Sequence, residues 1–151
     1  MAGPVLVTPE AAAERRLTAF GDEIIVHLGG EDTGGALSAF TSITPPGAGP
    51  PPHHHELDDE WFLPQEGRVE FLMSGEWREV PVGSAVFVPR GEVHAFRNCG
   101  ETPLTMLIQT SPAGFETFFA RCAEEFAKPG GPEMARIIEI GTEHGIHFAA
   151  P

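Results

Sequence analysis

Short runs of apolar and β-branched residues alternate with turn-forming residues from about residue 23 to residue 110. Clusters rich in Gly, Pro, Asn and Asp, such as GGEDTGG and PPGAGPP, separate these runs. Seven or eight short strands at this spacing predict an all-β barrel or sandwich. The predicted strands are 24–28, 36–44, 60–64, 69–73, 77–80, 85–88, 93–97 and 104–110.

The pattern changes after residue 110, where apolar residues recur at spacings of three and four. This period predicts a helix with one apolar face, and Ser111-Pro112 is typical of an N-cap followed by proline at the first helical position. A second helix is predicted from near Pro132 to near Gly145. We expect both helices to pack outside the barrel. The apolar residues of the first helix are Phe115, Phe118, Phe119, Cys122 and Phe126.

The chain of 151 residues fits one domain with a single core. Residues 1–22 carry little structural signal and are predicted to form an N-terminal arm or edge segment. Residues 23–110 are predicted to form the β-barrel, and residues 111–151 a C-terminal helical segment.

Composition excludes some classes of partner. Nine Lys and Arg stand against 22 Asp and Glu, giving a formal net charge of −13. A surface that neutralises phosphate groups needs excess positive charge, so we expect neither nucleic acid nor an anionic membrane as a partner. Two cysteines are too few for a disulfide framework, and no apolar stretch is long enough to span a bilayer. A cytoplasmic protein is therefore expected.

Histidines supply the first candidate chemistry. His53 and His55 are separated by one residue, so in a strand they point to the same side while His54 points to the other. A histidine run can also be a polar turn. His94 stands in a separate Gly- and Pro-punctuated run, GSAVFVPRGEVHAFRN, which favours a metal site built from two parts of the chain.

Glu60 is the preferred carboxylate ligand because it begins the apolar run EWFL, where its side chain can point inward. Glu56, Asp58 and Asp59 precede it and are expected in a solvated loop. Inward-facing charges are costly unless they are paired or bound to metal. Pro64 removes a ladder donor, so the strand from Glu60 is expected to be short, at an edge or bulged.

Both histidine-bearing segments fit motifs of the cupin family. Residues 47–67 fit G-x(5)-H-x-H-x(4)-E-x(6)-G, and residues 83–98 fit G-x(5)-P-x-G-x(2)-H-x(3)-N. The chain therefore resembles a small single-domain bacterial cupin, which implies a jelly-roll β-barrel. The matched residues are Gly47, His53, His55, Glu60, Gly67, Gly83, Pro89, Gly91, His94 and Asn98.

The resemblance implies that His53, His55, Glu60 and His94 bind one metal ion, with Asn98 in a structural role. Imidazole and carboxylate ligands without thiolate suit Fe, Mn, Ni, Zn or Cu, and the sequence does not choose among these divalent ions. The segments flanking the motifs, GGEDTGGALSAFTSITPPGAGPP and TSPAGFETFF, are similar to those of cupins related to quercetin 2,3-dioxygenase.

This narrower resemblance implies a dioxygenase acting on a small hydroxylated or enolisable aromatic or diketone substrate. Glu60 would then be both a ligand and the general base that removes the substrate's hydroxyl proton. A non-oxidative isomerase or lyase, with the metal as Lewis acid, is the second hypothesis. A cupin that binds a small molecule without turnover is the third.

Four aromatic residues are candidates for the wall of an apolar substrate pocket: Phe40, Phe62, Phe87 and Phe96. Ordinary core packing is the alternative for each. Phe62 and Phe96 each stand two residues from a ligand and should share its face of the strand, whereas Trp61 should face away.

The resemblance to cupins also implies a homodimer. The N-terminal arm and the apolar helices supply surface for such an interface. Apart from a second copy of the chain, the expected partner is a small-molecule substrate.

Overall fold

The computed structural model describes residues 3–149, which form a mainly β structure with short and long helices. The strands are β1 (Arg16–Ala19), β2 (Asp22–Leu28), β3 (Ser38–Thr44), β4 (His53–His55), β5 (Asp59–Glu66), β6 (Val69–Met73), β7 (Glu76–Val80), β8 (Val86–Val88), β9 (Ala95–Asn98), β10 (Leu104–Ser111) and β11 (Ile146–Phe148). The helices are α1 (Pro9–Ala13), α2 (Gly30–Thr33), α3 (Phe115–Phe126) and α4 (Met134–Glu143).

The largest sheet has six strands in the order β1-β2-β3-β10-β5-β8, and all neighbouring pairs are antiparallel. One face of this sheet is buried, as the period of two along each strand requires. In β3, for example, Ser38, Phe40, Ser42 and Thr44 are buried while the residues between them are half-buried.

A second sheet has the order β7-β6-β9, and β4 pairs separately with β11. The two larger sheets pack through aromatic side chains: the ring of Phe62 on β5 lies 5.1 Å from that of Phe71 on β6, with the rings edge to face. The all-β architecture is present. Among the described residues, however, the strands pair as three separate sheets rather than as one closed barrel.

Pro64 coincides with an irregularity in β5. The register of β5 against β10 shifts between Thr105 and Met106, next to Pro64, and the pairing of β5 with β8 ends at Phe62. The expectation of a bulge is confirmed. Since the irregularity follows Phe62, the part of β5 that carries Glu60 stays regular between its two neighbours.

The first predicted helix begins later than expected. Ser111 is the last residue of β10, where it pairs with Asp59, and its hydroxyl group donates to the carbonyl oxygen of Ala36. The prediction that Ser111-Pro112 caps the helix is therefore wrong, because strand pairing extends through Ser111. Gly114 occupies the N-cap position, and α3 starts at Phe115.

Helix α3 is part of the core rather than an outer layer. Phe118, Phe119 and Cys122 are buried in the same cluster as the strand residues. The ring of Phe20 stacks on Phe118 and lies tilted against Phe126. Ile137 and Ile140 of α4 belong to the same cluster, so the expectation that the helices pack outside the barrel is corrected for both. The apolar face of α3 covers one side of the central cavity. Within residues 3–149 no helix is both long and apolar enough to cross a membrane.

Candidate metal centre

Strand β4 carries two of the candidate ligands. His53 and His55 are buried, with 7% and 2% of their surface exposed, while His54 between them is half-buried. The backbones of His53 and His94 exchange two hydrogen bonds of 3.0 and 2.9 Å. The alternation expected from the sequence is present, and the bridge to His94 joins the two motifs.

Two residues of the second motif hold the backbone around the centre. Gly91 has φ of +90°, a conformation that favours glycine, and its N–H donates to the carbonyl oxygen of His55 at 2.7 Å. The Asn98 side chain donates to the carbonyl oxygens of Thr44 and Thr102 at 2.9 and 2.8 Å. Asn98 therefore ties the end of β3 to the turn before β10, in agreement with a structural role.

All four candidate ligands converge. One potential ligand atom each from His53, His55, Glu60 and His94 lies within 4.8 Å of every other. The Glu60 Oε1 atom is 3.0 Å from Nε2 of His94 and 3.6 Å from Nε2 of His55. These buried residues could hold a metal ion.

The outer nitrogens of two histidines are bound by backbone carbonyl groups. Nδ1 of His53 lies 2.8 Å from the Pro51 oxygen, and Nδ1 of His94 lies 3.0 Å from the Glu92 oxygen. A carbonyl oxygen only accepts, so Nδ1–H is the donor in both rings. The Nε2 atom of each ring therefore points into the cluster, which is the arrangement that metal-binding histidines use.

His55 is oriented by a carboxylate instead. Its Nδ1 donates to Asp58 Oδ2 at 2.8 Å, and its buried Nε2 has no hydrogen-bond partner among the described residues. A buried lone pair without a partner is costly unless a ligand occupies it. Asp58 is only 9% exposed, so its expected place in a solvated loop is wrong.

The charge states of His53 and Glu60 favour metal binding. Burial, and then the neighbouring His94 and His55, lower the pKa of His53 to about 3, which keeps this ring neutral. Burial alone would raise the pKa of Glu60, but the surrounding histidines outweigh it and lower that pKa. Neutral imidazole and ionised carboxylate are the forms that bind metal. Three nitrogens and one oxygen suit a divalent transition metal ion.

The cluster borders an apolar cavity between the sheets and α3. The space open to the centre of a water molecule is about 50 Å³, room for about four waters. The described lining residues include neither lysine nor arginine. They are Phe20, Asp22, Ile24, Phe40, Pro50, His53, Glu60, Phe62, Phe96, Ile108, Phe115, Phe118, Phe119, Ile146 and Phe148.

Three of the four predicted wall residues, Phe40, Phe62 and Phe96, line this cavity. Phe87 does not: it is 64% exposed, and the prediction for it is wrong. Val86 and Val88 take the inward positions of β8, so alternation turns Phe87 outward beside its cross-strand partner Trp61.

Phe115 was not among the predicted wall residues. Its ring lies parallel to that of Phe40 at 5.1 Å and parallel to that of His55 at 5.8 Å. The first turn of α3 is thereby packed against a candidate ligand. The helical period identified Phe115 as apolar, but no local pattern indicates which cavity such a face covers.

Residues 40–109 match the family model described as a cupin domain. The matched segment contains the four candidate ligands and both motifs. Residues 40–109 are thus similar to a cupin domain. The match is to cupins in general, and the narrower similarity to quercetin 2,3-dioxygenase relatives stays a prediction. The comparison with curated proteins gives no match.

Solved structures with a similar fold carry different names. A predicted oxalate decarboxylase from Thermotoga maritima is 24% identical, with a TM-score of 0.59 over 64% of this chain and 90% of that one. The polyketide cyclase RemF from Streptomyces resistomycificus is 24% identical, with a TM-score of 0.55 over 64% and 69%. An oxalate oxidase bound to glycolate is 24% identical, with a TM-score of 0.53 over 63% and 53%. These similarities show the cupin fold.

Proposed function

We propose that this chain is a metal-dependent cupin enzyme that uses dioxygen to oxidise a small hydroxylated or enolisable aromatic or diketone. The observation that carries the proposal is the opening of a three-histidine, one-glutamate cluster onto an aromatic cavity. Since the described lining has no lysine or arginine, a multiply charged anion finds no protein cation there. A flat apolar molecule with one ionisable oxygen matches both the walls and the cluster.

The residues of the cluster have separable tasks. His53, His55 and His94 would hold the ion through Nε2, and their Nδ1 contacts fix the ring orientations. A divalent ion bound there would supply Lewis acidity toward a substrate oxygen and, if redox-active, electron transfer with dioxygen. Glu60, which borders the cavity, is placed to take the hydroxyl proton of the substrate. The phenylalanine walls orient the ring and exclude water.

Oxygen consumption tests this proposal. Protein loaded with Fe(II), Mn(II), Ni(II) or Cu(II) is mixed with acetylacetone, a diketone small enough for the cavity, and dioxygen uptake is compared with substrate loss. We expect stoichiometric uptake with at least one metal. The His94→Ala variant should lose the activity, whereas the neighbouring half-buried His54 supplies the control, His54→Ala, which should keep it.

Other outcomes select other functions. Turnover that continues under anaerobic conditions would establish a non-oxidative isomerase or lyase, and tight binding without product would establish a binding protein. Equal behaviour of metal-free and metal-loaded protein, with His94→Ala unchanged, would exclude every metal-dependent version. One solved structure of similar fold is an oxalate oxidase, which supports oxidation as a reaction for this fold.

A further inference from the structure

A second carboxyl group faces the cavity. Asp22, the first residue of β2, is 7% exposed and belongs to the cavity lining together with His53 and Glu60. The sequence offers no motif around it, and it falls at the boundary between the predicted arm and the barrel. The pairing of β2 with β1 and β3 inside the six-stranded sheet places Asp22 at the cavity.

Asp22 and Glu60 lie at different ends of the cavity wall. Two strands, β3 and β10, separate β2 from β5 in the sheet. Glu60 pairs through Thr110 with the Ser38 end of β3, whereas Asp22 bonds to Thr44 at the opposite end of that strand. The wall between the two carboxyl groups is apolar. The cavity thus has one polar group remote from the candidate metal ligands.

No opposite charge compensates this carboxyl group. Thr44 donates its hydroxyl to Asp22 Oδ1 at 2.6 Å, but no Lys, Arg or His nitrogen of the described residues lies within 4.0 Å. Glu23 is adjacent in β2 and is itself paired with Arg16. Burial raises the pKa of Asp22 to about 7. A buried, unpaired carboxyl group destabilises a fold, and such groups cluster at functional sites.

We propose that Asp22, positioned by Thr44, is a specificity-determining residue that binds a hydroxyl group of the cavity's ligand at the end remote from the metal ligands. The ligand class is then an apolar, mainly aromatic molecule with a metal-binding oxygen at one end and a hydrogen-bonding group at the other. The metal-binding oxygen of the ligand is inferred from the proposed function. The hydrogen-bonding group at the other end is inferred from Asp22 alone.

Matched pairs of small ligands separate the two ends. Benzyl alcohol, 2-phenylethanol and 3-phenylpropanol are compared with toluene, ethylbenzene and propylbenzene for binding to metal-free protein, by ligand-detected NMR. For the best-fitting pair, we expect the wild type to prefer the alcohol by about tenfold, the effect of one well-placed hydrogen bond to a charged group. Asp22→Leu should abolish that preference. Glu23→Gln, which changes the adjacent carboxylate, should retain it.

A pH series guards against a variant that merely misfolds. Asp22→Asn keeps the size of the side chain and an acceptor for Thr44 but does not ionise. Because the hydrogen bond is to the charged form of Asp22, the wild-type preference for alcohol should increase between about pH 5 and pH 9. The preference of Asp22→Asn should not change with pH. Of the titratable groups, His53 and Glu60 line the same cavity as Asp22, whereas Glu23 and its partner Arg16 lie on the other face of β2.

The role of Asp22 in ligand binding is contradicted by two outcomes. A wild type without alcohol preference, including one that binds none of the six probes, overturns the role of Asp22. A preference that persists in Asp22→Leu does the same. If the metal-loaded protein takes up no dioxygen but the alcohol preference is intact, the proposed oxidation is contradicted and the role of Asp22 in ligand binding is still supported.

Discussion

Two consecutive aspartates beside the metal centre have unlike environments. Asp58 is buried and accepts the hydrogen bond from Nδ1 of His55, whereas Asp59 accepts from the backbone N–H and the guanidinium group of Arg90 at the surface. Arg90 also holds the pKa of Asp59 below its usual range. Only Asp58 is therefore connected to a ligand.

Replacing Asp58 tests that connection. The Asp58 carboxylate orients His55 and makes its ring more basic. Asp58→Asn removes this negative charge, so the affinity for metal should fall by about 10- to 100-fold. Asp59→Asn should leave affinity unchanged within about twofold, because Asp59 contacts Arg90 instead. Competition with a chromogenic chelator measures both. Equal affinities in the two variants would refute the assigned role of Asp58.

At the residue scale, spacing identified the ligands but not the groups that support them. His53, His55, Glu60 and His94 follow from two motifs, because alternation along strands is a local property. Phe115 could not be identified, since its contact with His55 depends on the docking of a helix. Asp58 lies only three residues from His55, but the spacing alone did not distinguish it from Glu56 and Asp59. Hydrophobicity alone likewise cannot separate an inward Phe62 from an outward Phe87.

Among the secondary structure elements, β11 has the most direct effect on the site. It pairs residue for residue with β4, placing Ile146 opposite His55 and Phe148 opposite His53, and the Ala149 N–H donates to the Pro52 oxygen at 2.8 Å. Without β11, β4 would have only the bridge at His94 and the bond from Gly91 to hold it.

Deleting residues 146–151 should therefore weaken metal binding by at least about tenfold, because the two histidines of β4 lose the strand that fixes their backbone. Isothermal titration with Zn(II) provides the measurement. His147→Ala, which changes a half-buried side chain on the outer side of the same strand, is the control and should bind as the wild type does. Unchanged binding in the truncated protein would show that β4 is held without β11.

Long alternating strands could be predicted from the sequence, whereas short ones could not. β3, β5 and β10 carry enough inward and outward positions to define a period of two. β4 and β11 have three residues each, HHH and IHF, and such segments lack a measurable period. Their pairing is a tertiary property, because about 90 residues separate them in the chain.

For the whole molecule, Asp22 should produce a pH-dependent stability. The pKa of its carboxyl group rises from an ordinary 3.8 to about 7 on folding, so the folded protein binds this proton more tightly than the unfolded chain. The stability contributed is complete below about pH 4 and is lost as the pH rises through 7. At about 1.4 kcal/mol per pH unit, the loss reaches about 4 kcal/mol.

Asp22→Asn should remove this dependence. Relative to the wild type, the variant should gain up to about 4 kcal/mol in free energy of unfolding between about pH 4 and pH 8. Urea unfolding of both proteins at the two pH values gives the difference in free energy of unfolding between variant and wild type. Contributions from other titrating groups are the same in both proteins and cancel in this difference. A difference that stays constant with pH would contradict the raised pKa.

Metal binding should stabilise the folded protein as a whole. An ion that binds only the folded state, at about 1,000 times its dissociation constant, adds about 4 kcal/mol. Removing it with a chelator should lower the Tm of the wild type and of His54→Ala. Thermal unfolding of His94→Ala should respond little to either metal or chelator, and an equal response would place the ion elsewhere.

The overall class was predictable, and the arrangement of the sheets was not. Alternating runs and turns indicate an all-β domain because each strand buries one face. Which strands pair depends on side chains that meet across the core, such as Phe62 and Phe71, and on the path of α3 over the cavity. No run of neighbouring residues contains that information.

The pairing of β4 with β11 sets a sequence of events during synthesis. His94, the last of the four ligands, precedes Phe148 by 54 residues. A growing chain that already exposes every ligand thus still lacks the strand that fixes two of them. We therefore expect a rigid centre to form only after α3, α4 and β11 have emerged from the ribosome, with stable metal uptake late in folding.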